Sequence, residues 1–506
     1  MKGSIMFQGT ASSVGKSLLA AAFCRIFKQD GYQVAPFKSQ NMSLNSFITR
    51  KGLEMGRAQV FQAEAAGIEP RVEMNPILLK PTTDVGSQVI VNGEVKENMA
   101  ASQYFKYKAQ LGKMVNETYH QLAEEFEIMV LEGAGSPAEI NLKDGDIVNM
   151  GMAQMAESPV ILIGDIDRGG VFASLYGTVE LLEPEERQLV KGIIINKFRG
   201  DVTLLKPGLR QLEDLIDIPV LGVVPYLDIQ IDDEDSVTER FKGRKSGEGL
   251  KVQVILLPHI SNFTDFTPLE MEEDLILSYV RRPEELDEPD LLIIPGSKNT
   301  LEDRRYLQHS GWDSTLRRFA RDGGLLLGIC GGYQILGKML HDPYNTESSL
   351  KSLPGLGILD VTTEMAEEKT TRQVEGVWQY EDNHYFANMS GMKITGYEIH
   401  MGLTQQEQGV EKPIYIEQDQ SWDGGINQQG NIVGTYLHGI FENLNWTRRL
   451  LNNLRRLKGL EEKDSEVSTY QELKEREYDK LAQHVRDHID LDKIYQIVEI
   501  GVETNG

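Results

Sequence analysis

Short aliphatic runs separated by helix-patterned segments set the limits on what this chain can form. Ser4–Gln8, Gln33–Phe37, Ile128–Leu131, Val160–Ile163, Gly192–Asn196 and Val220–Val224 are rich in apolar and β-branched residues without a polar face. A strand apolar on both faces must be covered on both faces, and strand–helix alternation does this in a doubly wound parallel sheet. Ser17–Lys28 reads as the first covering helix, with Leu18, Leu19, Ala22, Phe23 and Ile26 along one side. The alternation fails near Ile229–Lys251, where Asp232, Asp233, Glu234 and Asp235 precede Lys242, Gly243, Arg244, Lys245, Ser246 and Gly247. A polar, aperiodic stretch of this kind reads as a linker. Alternation resumes with Val252–Leu257, Leu291–Ile294 and Leu325–Ile329. From Trp446 the pattern is helical, through Leu450, Leu451, Leu454 and Leu457. The sequence therefore divides into a nucleotide-binding domain over 1–230, a linker over 231–251, a second α/β domain over 252–445 and a helical tail over 446–506. A chain of 506 residues is long enough for two or three cores.

Composition narrows the function. A formal charge of −25 argues against a nucleic-acid surface, which needs clustered Lys and Arg. Two cysteines, Cys24 and Cys330, make no disulfide framework and suit a reducing, cytoplasmic setting. Lys16 and nearby glycines interrupt the apolar N-terminus, so it reads as neither a secretory signal nor a membrane span.

Gly9-Thr-Ala-Ser-Ser-Val-Gly15-Lys16-Ser17 joins the first strand to the first helix, where a phosphate-binding loop belongs. Backbone amides and the helix N-terminus would hold phosphate oxygens, Lys16 would neutralise the outer phosphates, and the Ser17 hydroxyl would reach Mg²⁺. Five residues separate Gly9 from Gly15, where the standard loop has four. Lys38 follows the second strand and faces the ligand crevice of a doubly wound sheet. Glu132, at the end of another strand, is a candidate Mg²⁺ ligand or a turn carboxylate. Asn196 and Lys197 end a further strand, as a base-recognition corner or a plain turn. Asp165, Asp167 and Arg168 suit either Mg²⁺ and substrate contacts or internal ion pairs.

Gly328-Ile-Cys330-Gly-Gly332 stands between the strand Leu325–Ile329 and a helical run over Tyr333–Leu340. This is a nucleophile elbow with cysteine in the serine position. The positive end of the following helix favours a thiolate there. The amide of Gly331, with that of Gly296 after the strand Leu291–Ile294, would form an oxyanion hole. His438, after the short strand Ile432–Tyr436, is the candidate base. His400 lines the same cleft or makes structural hydrogen bonds. Cys24 lies on the apolar face of the first helix and reads as packing.

The first loop resembles the variant phosphate loops of the dethiobiotin-synthetase and partition-ATPase group. Ala11 stands where partition ATPases carry an extra lysine, which favours metabolic ligation over partner switching. Residues 252–443 resemble class I glutamine amidotransferase domains, except that Ile440 stands two residues after His438, where a glutamate is usual. The whole chain resembles the cobyric acid synthase family. The resemblance rests on Ala35-Pro-Phe-Lys-Ser-Gln-Asn-Met42, Glu54-Met-Gly-Arg-Ala58, Gln62-Ala-Glu-Ala-Ala-Gly-Ile68 and Asn75-Pro-Ile-Leu-Leu-Lys-Pro81. It continues in Glu132-Gly-Ala-Gly-Ser-Pro-Ala-Glu-Ile-Asn141, Asp165-Ile-Asp-Arg-Gly-Gly-Val-Phe172, Pro295-Gly-Ser-Lys-Asn-Thr300, Gly396-Tyr-Glu-Ile-His-Met-Gly402 and Tyr436-Leu-His-Gly439. The resemblance implies an amide ligase that uses ATP and Mg²⁺, takes ammonia from L-glutamine, and amidates the b, d, e and g carboxylates of adenosylcobyrinic acid a,c-diamide. A cobyrinic acid a,c-diamide synthase, and a regulatory ATPase with an amidotransferase-like domain, remain as alternatives. Homo-oligomeric assembly is left open.

Overall fold

The computed structural model describes residues 2–83, 86–229, 249–272, 275–382, 384–464 and 469–501. Most of the linker expected over 231–251 lies outside them. The chain forms two compact units. One comprises Met1–Ser43, Glu54–Val237 and Lys474–Gly506; the other comprises Leu44–Leu53 and Thr238–Leu473.

The first unit is built on a six-stranded sheet in the order Val220–Pro225, Val190–Phe198, Val160–Asp165, Gly3–Gly9, Ile128–Glu132, Val34–Phe37. Every neighbouring pair in it is parallel. All six expected strands are present, mostly one or two residues longer than the apolar run. The first strand lies in the middle, so successive crossovers go to opposite sides of it. The crevice at its carboxyl end is the topological switch point where such sheets bind ligands. The covering helix Lys16–Gln29 buries Phe23 and Phe27, and Phe7 stacks on Phe23 with centroids 4.8 Å apart. A smaller four-stranded sheet of Gln40–Met42, Ile77–Thr83, Gly86–Val91 and Glu94–Ala100 belongs to the same unit.

The sequence division places 446–506 in one tail. In the structure that stretch is shared. The helix Leu444–Leu457 belongs to the second unit, whereas Tyr470–Arg486 from Lys474 onward and the whole of Leu491–Ile500 belong to the first. Tyr478, Leu481, Val485, Ile494 and Val498 join the core formed by Phe7, Phe23 and Phe27. Arg25, 6% exposed, pairs with Glu475 and Asp479, each at 2.7 Å.

The second unit has its own six-stranded sheet, ordered Leu275–Val280, Leu250–Ile255, Leu291–Ile294, Leu326–Ile329, Ile432–Thr435, Gly425–Ile426. Only the last pair is antiparallel. The helix expected over Tyr333–Leu340 spans Gly331–Leu336 and gives way, after Gly337, to the strand Met339–His341. A second sheet, centred on the antiparallel strands Val361–Trp378 and Lys393–Gln406, completes the unit.

Candidate functional site

In the first unit, the loop after Gly3–Gly9 turns into its helix through Gly15, whose φ of +95° is a left-handed conformation that glycine adopts without strain. Lys16 folds back, donating to Ala11 O at 2.9 Å and Gly135 O at 3.2 Å. Ser17 donates to Glu132 Oε1 at 2.8 Å, and Lys38 reaches the same oxygen at 2.8 Å. Gln62 donates to Glu132 Oε2 at 2.6 Å. Burial disfavours this carboxylate, but Lys38 and the hydrogen bonds from Gln62 and Ser17 more than offset that and hold it below the usual carboxylate range. The sequence thus brings Lys16, Ser17, Lys38 and Glu132 to one place. A cavity of about 410 Å³ adjoins them, bordered by Lys16, Lys38, Asn41, Lys108 and Asn149.

Asn196 lies against the phosphate loop. Its Nδ2 donates to Val14 O at 2.8 Å, so the amide braces the loop backbone. Lys197 likewise donates to Ser13 O at 2.6 Å and lies 3.3 Å from Asp165. Asp165 also faces Arg168 at 3.9 Å, and Asp167 pairs with Arg199 at 3.1 Å. Of the two readings of these acids, internal ion pairing is the one seen. Among the described residues, no cluster of three or more His, Cys, Asp or Glu has metal-ligating geometry.

In the second unit, Cys330 sits at the elbow with φ 51° and ψ −106°, a conformation that costs a non-glycine residue energy and is held by the strand and helix on either side. Gly331 and Gly296 border the same spot. A Cβ on Gly331 would lie 2.9 Å from the Ser297 amide nitrogen, and one on Gly296 would lie 3.0 Å from His438 Cε1. The Cys330 thiol donates to Ile399 O at 3.7 Å, and the nearness of its sulfur adds to the imidazole's affinity for its proton.

The residue that orients His438 is Asp265. Its Oδ2 is 2.7 Å from His438 Nδ1, and its Oδ1 accepts the Gly439 amide at 2.9 Å. Burial disfavours the imidazolium. The Asp265 carboxylate, then Cys330, outweigh that and push His438 up to about 10. Asn262, three residues before Asp265 on the same turn, places Nδ2 3.3 Å from His438 Nε2. Tyr397 stacks on the imidazole, with centroids 5.3 Å apart and planes at 21°. Sequence reasoning missed Asp265 and Asn262. The available signal was a polar Asn-Phe-Thr-Asp turn at the carboxyl end of a buried strand, close to where the elbow cysteine must lie.

His400 donates from Nδ1 to Gly402 O at 2.8 Å, and its ring stacks on Tyr436 at 3.7 Å. These contacts fit the structural reading. Cys24 is fully buried, and burial, with Glu132 adding to it, pushes its thiol far up.

Residues 5–236 match the nucleotide-binding domain family described as CobQ/CobB/MinD/ParA, and residues 251–446 match the CobB/CobQ-like glutamine amidotransferase domain. Fold and domain content define a nucleotide-binding glutamine amidotransferase. Relatives named cobyric acid synthase align along nearly the whole chain. The protein from Alkaliphilus metalliredigens (strain QYMF) is 53% identical over 502 residues, covering 98% of this chain and 99% of the relative. That from Yersinia enterocolitica (serotype O:8, biotype 1B) is 52% identical over 506 residues, covering 99% and 98%. The chain belongs to the cobyric acid synthase family. It is a glutamine-dependent, ATP-using ligase.

Proposed function

We propose that Cys330, His438 and Asp265 release ammonia from glutamine, and that the Gly9–Ser17 loop with Lys38 and Glu132 holds the ATP that activates carboxylates of a corrinoid. The observation that carries this reading is the Asp265–His438–Cys330 array on an elbow, in the same chain as a phosphate loop. His438 takes the thiol proton, the thiolate attacks the glutamine side-chain amide, and the amides near Gly331 and Gly296 face the developing oxyanion. The imidazolium returns its proton to the departing ammonia, and water then clears the thioester. In the first unit a corrinoid carboxylate attacks the γ-phosphate of ATP, and ammonia displaces phosphate from the acyl phosphate to give the amide. Lys16 and Lys38 supply positive charge to the transferring group.

The Ser17 hydroxyl and the Glu132 carboxylate are oxygen donors suited to Mg²⁺, which would neutralise phosphate charge when bound. Glu132 Oε1 accepts from both Ser17 and Lys38, so a bound Mg²⁺ would compete with Lys38 for this carboxylate.

The acceptor groups are the b, d, e and g carboxylates of adenosylcobyrinic acid a,c-diamide. Incubation of that corrinoid with glutamine, Mg²⁺ and ATP should give four successive carboxylate-to-amide conversions by mass spectrometry. Amidation confined to the a and c carboxylates of cobyrinic acid would assign the chain to the alternative synthase.

A further inference from the structure

A short segment from the first half of the sequence is built into the second unit. The chain leaves the first unit after Ser43 and re-enters it at Glu54, and residues 44–53 pack with the second unit. Their contacts there converge on the turn that carries Asp265. The Ser46 amide donates to Asn262 Oδ1 at 3.0 Å, and the Phe263 amide donates to Asn45 Oδ1 at 3.1 Å. The Tyr397 hydroxyl donates to Ser46 O at 3.2 Å, and Ile48 packs with Tyr397 and Ile399. Farther along, the Thr371 hydroxyl donates to Gly52 O at 2.8 Å.

These bonds fix which way the Asn262 amide points. A backbone N–H can only donate, so the Asn262 atom facing Ser46 is the oxygen. The atom 3.3 Å from His438 Nε2 is therefore the amide nitrogen, a donor. Nε2 is the atom that takes the Cys330 proton, a gain that the Asp265 carboxylate favours from the other side of the ring. In that step the S–H bond breaks, its electron pair stays on sulfur, and an N–H bond forms at Nε2. A donor aimed at Nε2 suits the neutral ring and opposes the protonated one. Asp265 and Asn262 thus act on opposite nitrogens of one ring and in opposite senses.

We propose that Asn262, oriented by Ser46 of the 44–53 segment, is a positioning residue that restrains thiolate formation at Cys330 until that segment shifts, so that glutamine hydrolysis waits on the synthetase half. The proposal rests on the reading of Cys330 and His438 as the glutaminase pair. The segment's two ends are anchored in the first unit, where the Ser43 amide donates to Leu79 O at 3.0 Å and the Glu54 amide to Gly93 O at 3.1 Å. Ser43 follows closely on Lys38, which contacts Glu132 beside the phosphate loop. Once Ser46 releases Oδ1, the amide is free to turn and offer that oxygen to the Nε2 proton.

The test uses the full-length enzyme and two variants. Asn262→Asp keeps the size of the side chain and offers oxygens to both the Ser46 amide and the Nε2 proton. Ser46→Pro keeps Asn262 and removes the N–H that orients it. Glutamate release is measured idle, with glutamine alone, and loaded, with Mg²⁺-ATP and corrinoid added. Iodoacetamide alkylation of Cys330, followed by peptide mass, reads thiolate directly. Asn262→Asp should raise idle glutamate release and alkylation roughly five- to tenfold, the weight of about one hydrogen bond. The loaded-to-idle ratio should fall by the same factor, and Ser46→Pro should move all three readings the same way. Idle release and alkylation at or below the parent's in Asn262→Asp overturn the proposal, whatever the second variant does. A parent enzyme that forms amide from ammonium but never from glutamine would instead overturn the glutaminase reading itself.

Discussion

At His438 a single carboxylate decides how the imidazole behaves. Asp265 accepts from Nδ1 at 2.7 Å and, together with Cys330, raises the ring to about 10 despite complete burial. Asp265→Asn keeps the shape and removes the charge, so glutamine-dependent turnover should fall roughly a hundredfold or more. Ammonium-driven amidation should stay near the parent level, since the acyl-phosphate step lies in the other unit. The same pair gives stability a sign with pH. The folded value lies above the unfolded one of about 6.5. Its contribution is therefore full below pH 6.5 and is lost as pH rises toward about 10. All four tryptophans, Trp312, Trp378, Trp422 and Trp446, lie in the second unit, so their fluorescence follows the unit that holds His438. Urea midpoints read this way should decline between pH 6.5 and 10 more steeply in the parent than in Asp265→Asn. Equal slopes would mean the pair is not charged in the folded state. Cys330 and His438 were legible because an elbow and a strand-end histidine are local patterns. Asp265 was not, because its link to His438 spans 173 residues and depends on how a four-residue turn meets the ring. Asn196 was left between two readings for a related reason. A strand-end amide near a phosphate loop serves a base or the loop backbone equally well until its partner, here Val14 O, is seen.

Elements were legible where burial made them uniform. The six strands of the first central sheet and four of the six in the second are mostly apolar, and the sequence placed those to within a few residues, whereas Leu275–Val280 and Gly425–Ile426 were not read as strands. The long strand Val361–Trp378 carries Glu-Glu-Lys-Thr-Thr-Arg in its middle, is half exposed, and shifts register between Met365 and Thr370, so no run marks it. The C-terminal helices are amphipathic in the ordinary way, but periodicity does not say which core they cover. The answer is the first unit, and one glycine shows how closely. A Cβ on Gly222 would lie 2.2 Å from His488 O, beside the bridge between Gly222 and Ile489. Gly222→Ala should therefore force the helix pair off the sheet edge at a cost of about 1–3 kcal/mol. Hydrogen exchange should quicken in 478–498 and in Gly3–Gly9, while the tryptophan transition of the second unit stays put. Unchanged protection of 478–498 would show that the C-terminal helices are not part of that core.

On the scale of the whole molecule, the proposed division of the two half-reactions between different compact units predicts that each is removed without the other. Cys330 is the only described cysteine at an elbow; Cys24 is buried in the other unit with its thiol strongly disfavoured as thiolate. Cys330→Ala should lose glutamine-dependent amidation by several orders of magnitude, because no second nucleophile serves the thioester. It should keep amidation at high ammonium and alkaline pH, where free ammonia is present. Lys16→Ala should lose amidation with either donor, since a neutral side chain cannot offset charge on the transferring phosphoryl group. Its idle glutamate release should remain measurable, because Lys16 hydrogen-bonds to Ala11 O and Gly135 O in the phosphate-loop unit. The comparison is amide formed per enzyme with each donor, on corrinoid and Mg²⁺-ATP, with circular dichroism to confirm folding. Full glutamine-dependent activity in Cys330→Ala would overturn the elbow assignment. Normal ammonium-driven activity in Lys16→Ala would detach the phosphate loop from the reacting ATP. Loss of both donors in a folded Cys330→Ala would mean that the elbow also supports the synthetase step, and the division of labour between the units would fail.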